Sequence, residues 1–339
     1  MGSDSTPQLP VIYLSDQTLK PGSEKWVEVR SDVRKALEDY GAFEVSYDRV
    51  SEELKQSVLE AMKELFELPV EAKRRNVSPK PYTGYSTHNG LSESLGIQDP
   101  EVLEKVNEFT QLLRPDCEGN KSISETIQKF SEKLAELDVM VRRMVMESFG
   151  IEKYFDEHLK STNYRLRLMK DNANVVADTS DIASGIANVH INDDANIGAK
   201  ANGDIGADVD VKTSDFASVE SKADVSTNVN ANADANANTG TLSSAGVGDS
   251  VTANGGADDE EKKLGLPSHT DKNLFTVLYQ YEIEGLEVLN KDEKWIRLKP
   301  SRNSFVVMAG DSVYALMNGR LFRPFHPVRV TEKKKQDIQ

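Results

Sequence analysis

A low-complexity tract between residues 171 and 262 constrains the fold more than any other feature of the sequence. It consists mainly of Asn, Ala, Asp, Val and Gly, as in NVNANADANANTG, with Phe216 as its only aromatic residue and Leu242 as its only leucine. So little bulky apolar surface cannot offset the conformational entropy of ordering a tract of this length. We therefore predict a disordered insertion in a surface loop. The weak alternation of Val and Ile leaves a β-solenoid as the alternative.

The acidity of the chain also belongs to this tract. The net charge is −15, and residues 171–261 hold 17 Asp or Glu against three Lys, which accounts for −14 of it. The rest of the chain is therefore nearly neutral. Nucleic-acid binding requires clustered positive charge, so we expect no nucleic-acid partner.

Cysteine content and hydropathy indicate the compartment. Cys117 is the single cysteine, so no internal disulfide can form and a reducing environment is expected. No run approaches the roughly 18 consecutive apolar residues of a membrane helix, and the N-terminus lacks the pattern of a signal peptide. These features predict a cytoplasmic protein without a membrane partner.

Residues 1–170 predict a region of helices with short strands. Apolar residues recur at helical spacing in SEKWVEVRSDVRKALEDYG, SEELKQSVLEAMKELF and SISETIQKFSEKLAELDVMVRRMVMESFG. Gly41 and Gly150 are expected to end the first and third of these helices, and Ser51 to cap the second.

Residues 263–339 change to a strand pattern. NLFTVLYQY, GLEVLN, WIRLKP and SFVVMAGDSVYALMNG are apolar runs separated by turn residues. Helices followed by antiparallel strands predict an α+β fold, in which N-terminal helices support a double-stranded β-helix, or jelly roll. The predicted divisions are thus 1–170, 171–262 and 263–339.

A histidine and an aspartate precede the first of these strand runs. His269 and Asp271 are two residues apart, and residues i and i+2 of a strand face the same side. Their imidazole nitrogen and carboxylate oxygen could bind one metal ion, although such a pair can equally be a hydrogen-bonded histidine and carboxylate. A metal site needs a third ligand, and the remaining histidines are His88, His158, His190 and His326.

His326 is the histidine that follows His269, three or four strands later. Strands with this separation can lie side by side in a jelly roll. Two histidines and one carboxylate form the facial triad of non-haem Fe(II) oxygenases. A cupin-like binding or storage protein is an alternative, but it would require further histidines near the first.

Ordered motifs give the chain a family resemblance. LPVIYLSD, VRKALEDYGAFEV, GLPSHTDKNLFTVLYQY, KWIRLKPSRNSFVVMAGD and MNGRLFRPFHPVRV are similar to successive landmarks of plant 2-oxoglutarate- and Fe(II)-dependent dioxygenases. The resemblance covers nearly everything outside residues 171–262. VMVRRMVMESFGIEKY, EKKLGLPSHTDKNLFTVL and the Asn/Ala/Asp/Val-rich tract resemble the branch that modifies glucosinolate side chains.

This resemblance implies a set of ligands and site residues. His269, Asp271 and His326 would bind iron, 2-oxoglutarate would be the cosubstrate and ascorbate the reductant. Dioxygen and a methylsulfinylalkyl glucosinolate would be the other small-molecule partners of a monomeric enzyme, with an alkenyl or hydroxyalkyl product. Asn107, Phe109 and Thr110 would form part of the substrate pocket.

Two departures from the family pattern predict impaired activity. The family usually has an Arg-x-Ser/Thr strand whose arginine binds the distal carboxylate of 2-oxoglutarate. Arg329 and Thr331 follow His326 too soon to match it, so we expect a chain truncated at its C-terminus. Met169, Lys170 and Asp171 also stand where an Asn-Tyr-Tyr-like run is common. The alternatives are an inactive truncated homologue, or a dioxygenase for another plant metabolite such as a flavonoid, gibberellin or alkaloid.

Overall fold

The computed structural model describes residues 7–16, 18–79, 83–88, 92–171, 185–192, 263–281, 285–299, 301 and 304–330. These residues belong to one unit, formed by residues 1–196 and 259–339. Apart from residues 171 and 185–192, the tract predicted to be disordered lies outside the described residues.

Short strands and longer helices alternate in the first half of the chain. In order they are β1 (Val11–Tyr13), α1 (Glu24–Asp39), β2 (Ala42–Ser46), α2 (Glu52–Phe66), α3 (Val70–Lys73), β3 (Ser86–His88), β4 (Ser92–Gln98), α4 (Leu103–Leu113), α5 (Asn120–Ser148), a 3₁₀ turn (Glu152–Tyr154), α6 (Phe155–Lys160) and β5 (Asn163–Asp171).

The second half is mostly strand. Its elements are β6 (Gly185–Asn192), β7 (Lys263–His269), β8 (Phe275–Gln280), β9 (Glu287–Leu289), β10 (Trp295–Arg297), β11 (Ser304–Ala309), α7 (Asp311–Leu316) and β12 (His326–Val330).

The three long helices form where the apolar periodicity predicts them. The side chain of Ser51 accepts a hydrogen bond from the backbone N–H of Leu54 at the start of α2, so this predicted N-cap is confirmed. Gly41 and Gly150 follow α1 and α5 with φ of 67° and 70°. In this left-handed region glycine has no Cβ penalty, which explains why these helices end there.

The strands form a two-layered sandwich, as the predicted jelly roll requires. Eight strands make one sheet in the order β1-β2-β11-β8-β6-β5-β4-β3, and the pairs β12-β7 and β10-β9 make the opposing layer. An outer core lies between the large sheet and the helices, with Leu166, Val277 and Phe305 among its residues. An inner core lies between the layers and includes Leu278 and Val328.

The structure corrects the predicted boundary of the tract. Residues 185–192, GIANVHIN, form β6 in the middle of the large sheet, antiparallel to both β5 and β8. The low average hydrophobicity of the whole tract concealed this segment, in which small or β-branched residues alternate with polar ones. Part of what we interpreted as an insertion therefore belongs to the sheet.

The strand prediction for SFVVMAGDSVYALMNG is correct only in its first half. Ser304–Ala309 form β11, whereas Asp311–Leu316 form the helix α7. Gly310 separates the two elements, and a Cβ at this position would lie 2.1 Å from the backbone oxygen of Asn273. A side chain cannot fit there, so Gly310 lets β11 and α7 approach the loop before β8.

We expect a large loss of stability when Gly41 is replaced by alanine. A Cβ at Gly41 would lie 2.6 Å from the backbone oxygen of Phe322 and 2.6 Å from Cδ of Pro324. The left-handed φ and the overpacking together should lower the free energy of unfolding by about 2–5 kcal/mol. Gly150→Ala is a matched control, because Gly150 has nearly the same φ and no atom within 4 Å of the built Cβ. Equal losses in urea unfolding of the two variants would contradict the steric argument.

Candidate metal centre

The two histidines of the predicted triad are cross-strand neighbours. His269 ends β7 and His326 begins β12, and they are register partners in this antiparallel pair. Side chains of directly opposite residues lie on the same face. The two imidazole rings accordingly have centroids 4.4 Å apart. The antiparallel pairing of β12 with β7 thus brings together two histidines that are distant in the sequence.

Asp271 reaches the histidines from a loop, not from a strand as predicted. β7 ends at His269, and Asp271 lies in the turn that leads into β8. Its backbone oxygen accepts a 2.7 Å hydrogen bond from the N–H of Asp311. Its carboxylate oxygens lie 3.6 Å from Nε2 of His269 and 3.7 Å from Nε2 of His326. The alternation of side chains along a strand therefore does not explain this placement.

A hydroxyl group orients the Asp271 carboxylate. Thr276, at the start of β8, is 1% exposed, and its hydroxyl donates to Oδ2 of Asp271. Asn273 in turn donates from Nδ2 to the Thr276 oxygen at 2.9 Å. This chain of hydrogen bonds leaves Oδ1 of Asp271 directed towards His269.

Backbone carbonyls orient both imidazole rings in the same way. Nδ1 of His269 lies 2.8 Å from the oxygen of Pro267, and Nδ1 of His326 lies 3.2 Å from that of Pro324. A carbonyl oxygen only accepts, so each Nδ1 carries the proton and each Nε2 is left as a potential ligand. The repeated Pro-x-His pattern is the sequence signal of this arrangement.

The two histidines differ in their proton affinity. Burial lowers the pKa of His326 below its ordinary value and favours the neutral imidazole that binds metals. Burial also lowers the pKa of His269, but the Asp271 carboxylate outweighs it and the pKa lies above the ordinary value. When the His269 imidazole is positively charged, Nε2 also carries a proton, and a metal ion bound at Nε2 would displace it.

The donor set fits a divalent iron ion. Each of His269, Asp271 and His326 offers one ligand atom, and these atoms all lie within 4.8 Å of one another. Within the described part of the chain this is the one such group of three or more His, Cys, Asp or Glu side chains. Two imidazole nitrogens and one carboxylate oxygen on one side leave positions open for other ligands, which is the arrangement of non-haem Fe(II) oxygenases.

Asp311 connects the loop of Asp271 to the segment that precedes His326. Its carboxylate binds Lys272 at 2.5 Å and Arg323 at 2.6 Å. Burial opposes ionisation of Asp311, but these hydrogen bonds are stronger and hold its pKa below the usual range. The Gly-Asp motif at residues 310 and 311 therefore supports the positions of two ligands.

The predicted substrate-pocket residues lie on helix α4. Phe109 is packed in the outer core on the helical side of the large sheet. Thr110 is buried against Ser124, with their hydroxyl oxygens 2.8 Å apart, and Asn107 lines an open surface groove between α4 and α5. Helix α4 packs against α5 on the helical side of the large sheet. The assignment of these residues to the substrate pocket stays a prediction.

The remaining histidines also lie away from the triad or are not described at side-chain level. His88 ends the edge strand β3, and Nδ1 of His158 contacts the Arg142 guanidinium at 3.2 Å. His190 lies in β6, where its register partner is Thr276. Among the side chains that the structure describes, His326 is therefore the histidine that joins His269 and Asp271.

Sequence reasoning missed two residues that support Asp271, and it also missed the burial of two arginines. Thr276 and Asn273 lie inside an apolar strand run, where a hydroxyl or amide gives no pattern of its own. Arg165 and Arg167 are 7% and 4% exposed on β5, although arginines in a strand usually indicate a solvated face. Only the pairing of β5 within the large sheet reveals that this strand is covered on both faces.

The fold and the donor set together define a jelly-roll non-haem iron oxygenase. The sequence profile of the 2OG-Fe(II) oxygenase superfamily matches residues 251–336, and that of the non-haem dioxygenase in morphine synthesis N-terminal region matches residues 9–124. The chain belongs to the 2-oxoglutarate-dependent dioxygenases, a family of enzymes that use Fe(II) and 2-oxoglutarate.

Relatives from Arabidopsis thaliana cover nearly the whole chain. The 2-oxoglutarate-dependent dioxygenase AOP2 is 57% identical over 99% of this chain and 85% of its own length. The 2-oxoglutarate-dependent dioxygenase AOP3 is 58% identical over 99% of this chain and 84% of its own. A protein named probable inactive 2-oxoglutarate-dependent dioxygenase AOP2 is also 58% identical, over 99% of this chain and 84% of its own length.

Solved structures confirm the fold. The dioxygenase for auxin oxidation 1 of Arabidopsis thaliana, in its complex with 2-oxoglutarate, superposes with a TM-score of 0.62 at 20% identity, over 96% of this chain and 89% of that one. The dioxygenase for auxin oxidation of rice gives a TM-score of 0.58 at 22% identity, over 96% and 79%. Among the described residues, no helix combines the length and apolar character needed to cross a membrane.

Removal of the Thr276 hydroxyl should weaken metal binding. We expect Thr276→Val to lower the affinity for Fe(II) by about 10–100-fold, the usual effect of losing a group that orients a ligand. Thr110→Val is the control, since it removes a similarly buried hydroxyl on α4, away from the triad. Anaerobic Fe(II) titration measures both variants, and equal affinities would show that Thr276 does not orient Asp271.

Proposed function

We propose that this chain oxidises the side chains of methylsulfinylalkyl glucosinolates, with an alkenyl or hydroxyalkyl product. The observation that carries the proposal is the His-Asp-His donor set in a chain that is 57–58% identical to AOP2 and AOP3. The substrate class comes from the motifs that resemble the glucosinolate-modifying branch. We further propose a cytoplasmic location, for which the single cysteine is the supporting feature, and a monomeric state, which rests on the family resemblance alone.

The residues of this chain would perform three tasks in such a reaction. His269, Asp271 and His326 would hold iron, and Thr276 and Asp311 would keep the ligands in place. The apolar inner core, which includes Leu278, would exclude water from one side of the centre. When bound, iron together with 2-oxoglutarate supplies the activation of dioxygen, a reaction that side chains alone do not perform.

An inactive relative is the second candidate, and three observations favour it. Arg329, the arginine in Arg-x-Thr spacing, binds Glu287 through Nε at 2.8 Å, so its guanidinium is committed to an ion pair. Met169 is 2% exposed in the inner core, where the resemblance leads us to expect a polar residue. A relative of equal similarity also has the name probable inactive.

Product analysis separates these candidates. The protein is incubated with Fe(II), 2-oxoglutarate, ascorbate and a methylsulfinylalkyl glucosinolate, and succinate and the modified glucosinolate are quantified by mass spectrometry. Equal amounts of succinate and modified glucosinolate support the proposed function. Succinate with a flavonoid or gibberellin, but not with the glucosinolate, would assign another substrate. Iron binding without succinate would identify the inactive relative.

A further inference from the structure

Strand β12 carries His326, but its pairing with β7 is irregular. His326 and His269 are register partners at the start of β12. The register then shifts between His326 and Val328, and again between Val328 and Arg329. Irregularities of this kind disrupt the hydrogen-bond ladder and bend the strand. The ladder with β7 alone therefore specifies the position of His326 only weakly.

The segment that contains β9 holds the other edge of β12. The N–H of Leu289, at the end of β9, donates to the backbone oxygen of Phe325 at 2.8 Å. The N–H of Arg329 donates to the backbone oxygen of Gly285, also at 2.8 Å. One of these hydrogen bonds precedes His326 in the sequence and the other follows it. The β9 segment thus fixes β12 on both sides of the histidine.

An ion pair between side chains reinforces this contact. Nε of Arg329 donates to Oε2 of Glu287 on β9 at 2.8 Å. Oε1 of the same carboxylate accepts from Nη2 of Arg297 on β10 at 3.2 Å. Glu287 is 8% exposed. Because one buried carboxylate joins two arginines, the three residues form a network, which contributes more than an isolated pair on the surface.

The ion pair lies on the side of the layer that faces away from the inner core. Val288 and Val328 pack in the inner core, and their neighbours Glu287 and Arg329 meet on the other side. Glu287 is not a member of the ligand group. Arg329, however, lies on the same five-residue strand as His326. An effect of Glu287 on the metal centre therefore passes through β12.

We propose that Glu287 is a positioning residue of the metal centre, which holds β12 through Arg329 so that His326 stays opposite His269. A functional site requires its groups within about 0.5 Å of the productive geometry, so a small shift of β12 along β7 should weaken metal binding. This inference rests on the proposed function, because it takes the triad as the iron site. It also gives Arg329 a role that differs from binding a cosubstrate.

Charge variants of the network test this role. Glu287→Gln removes the negative charge, Arg329→Met removes the positive charge, and Arg329→Lys retains it. Arg297→Met is the matched control, because Arg297 binds the same carboxylate from β10 and its side chain is 47% exposed, against 39% for Arg329. Urea unfolding of the metal-free proteins verifies that each variant folds, and Arg329→Lys is used if Arg329→Met does not fold.

Two measurements on each protein separate positioning from stability. Anaerobic titration with Fe(II) gives the metal affinity. A parallel titration with Co(II) gives a visible absorption spectrum, whose ligand-field bands depend on the coordination geometry of the ion. A residue that contributes only to stability would change the urea unfolding and leave the Fe(II) affinity and the Co(II) spectrum unchanged.

We expect Glu287→Gln and Arg329→Met each to lower the Fe(II) affinity by about 3–30-fold and to change the Co(II) spectrum. Arg329→Lys should lose less, because a lysine can still pair with the carboxylate. Arg297→Met should bind Fe(II) within about twofold of the wild type, since an exposed partner on another strand contributes little. The double variant of Glu287 and Arg329 should lose no more than the larger single loss, because both substitutions break the same pair.

Failure of this role and failure of the proposed function are distinguishable. If the wild type binds Fe(II), and Glu287→Gln and Arg329→Met match its affinity and its Co(II) spectrum, the positioning role is refuted and the proposed function stands. Equal losses in Arg329→Met and Arg297→Met would also refute it, because Arg297 is not on β12. If the wild type binds no Fe(II), both fail. If the expected losses occur but product analysis shows no turnover, the proposed function fails and the positioning role stands.

Discussion

Replacing Asp271 by alanine should abolish high-affinity Fe(II) binding and, with it, any 2-oxoglutarate-dependent turnover. Asp271 is 7% exposed and contributes the one carboxylate of the triad. Loss of an outer group that merely orients a ligand costs about 10–100-fold in metal affinity, so loss of the ligand itself should cost at least about 100-fold. The remaining imidazoles of His269 and His326 carry no negative charge to offset that of the ion.

A second carboxylate provides the control for this variant. Asp311 lies beside Asp271 but binds Lys272 and Arg323 in place of the imidazoles. Asp311→Asn keeps the backbone N–H that donates to Asp271 and should reduce Fe(II) affinity far less than Asp271→Ala. Anaerobic titration of both variants measures the difference. If Asp271→Ala bound Fe(II) as tightly as the wild type, the triad would not be the metal site.

The second large expected effect is a loss of stability when a buried ion pair on α5 is broken. Asp138 and Arg142 on α5 form an ion pair of 2.8 Å, with side-chain exposures of 0% and 2%. The hydroxyl of Tyr164 donates to the same carboxylate at 3.1 Å, and burial raises the pKa of this tyrosine. Asp138→Ala would leave the Arg142 charge in the interior without its carboxylate, which should cost about 3–5 kcal/mol in the free energy of unfolding.

A double-mutant cycle isolates the ion pair from other effects of the substitution. Replacing both Asp138 and Arg142 by leucine removes the buried charges together, so the double variant should lose less stability than the sum of the two single leucine variants. Urea unfolding of the metal-free proteins measures each free energy. Additive losses, or a loss below about 1 kcal/mol for Asp138→Ala, would mean that the pair contributes little.

The sequence predicts the helices well because their signals are local. The apolar stripe of α1 and the Ser51 cap depend on residues within one or two turns, and the structure confirms both. The glycines at 41 and 150 are local signals of the same kind. Helical periodicity is read directly from neighbouring residues, so no knowledge of the rest of the fold is needed.

The strand pairing could not be predicted in the same way. β6 joins β5 and β8 across a long stretch of sequence, and nothing within GIANVHIN specifies those partners. Helix α7 has a strand-like composition, and its first residues contact a distant loop, where the N–H of Ser312 donates to the backbone oxygen of Asn273. Such long-range contacts determine local structure without leaving a local pattern.

The metal centre could be predicted from the sequence only in part. The residue types of His269, Asp271 and His326 suggest iron, but only the return of β12 alongside β7 shows that they meet. The same three residues would have no such meaning in another topology. The assignment of Asn107, Phe109 and Thr110 to the substrate pocket came from resemblance alone and stays a prediction.

Anaerobic titration of the wild-type protein with Fe(II) and then 2-oxoglutarate tests the central claim most directly. The structure predicts one Fe(II) per chain, bound at least about 100-fold more tightly than by Asp271→Ala, and a visible charge-transfer band when 2-oxoglutarate is added. Equal Fe(II) binding by the wild type and Asp271→Ala would contradict the assignment of His269, Asp271 and His326 as the iron site.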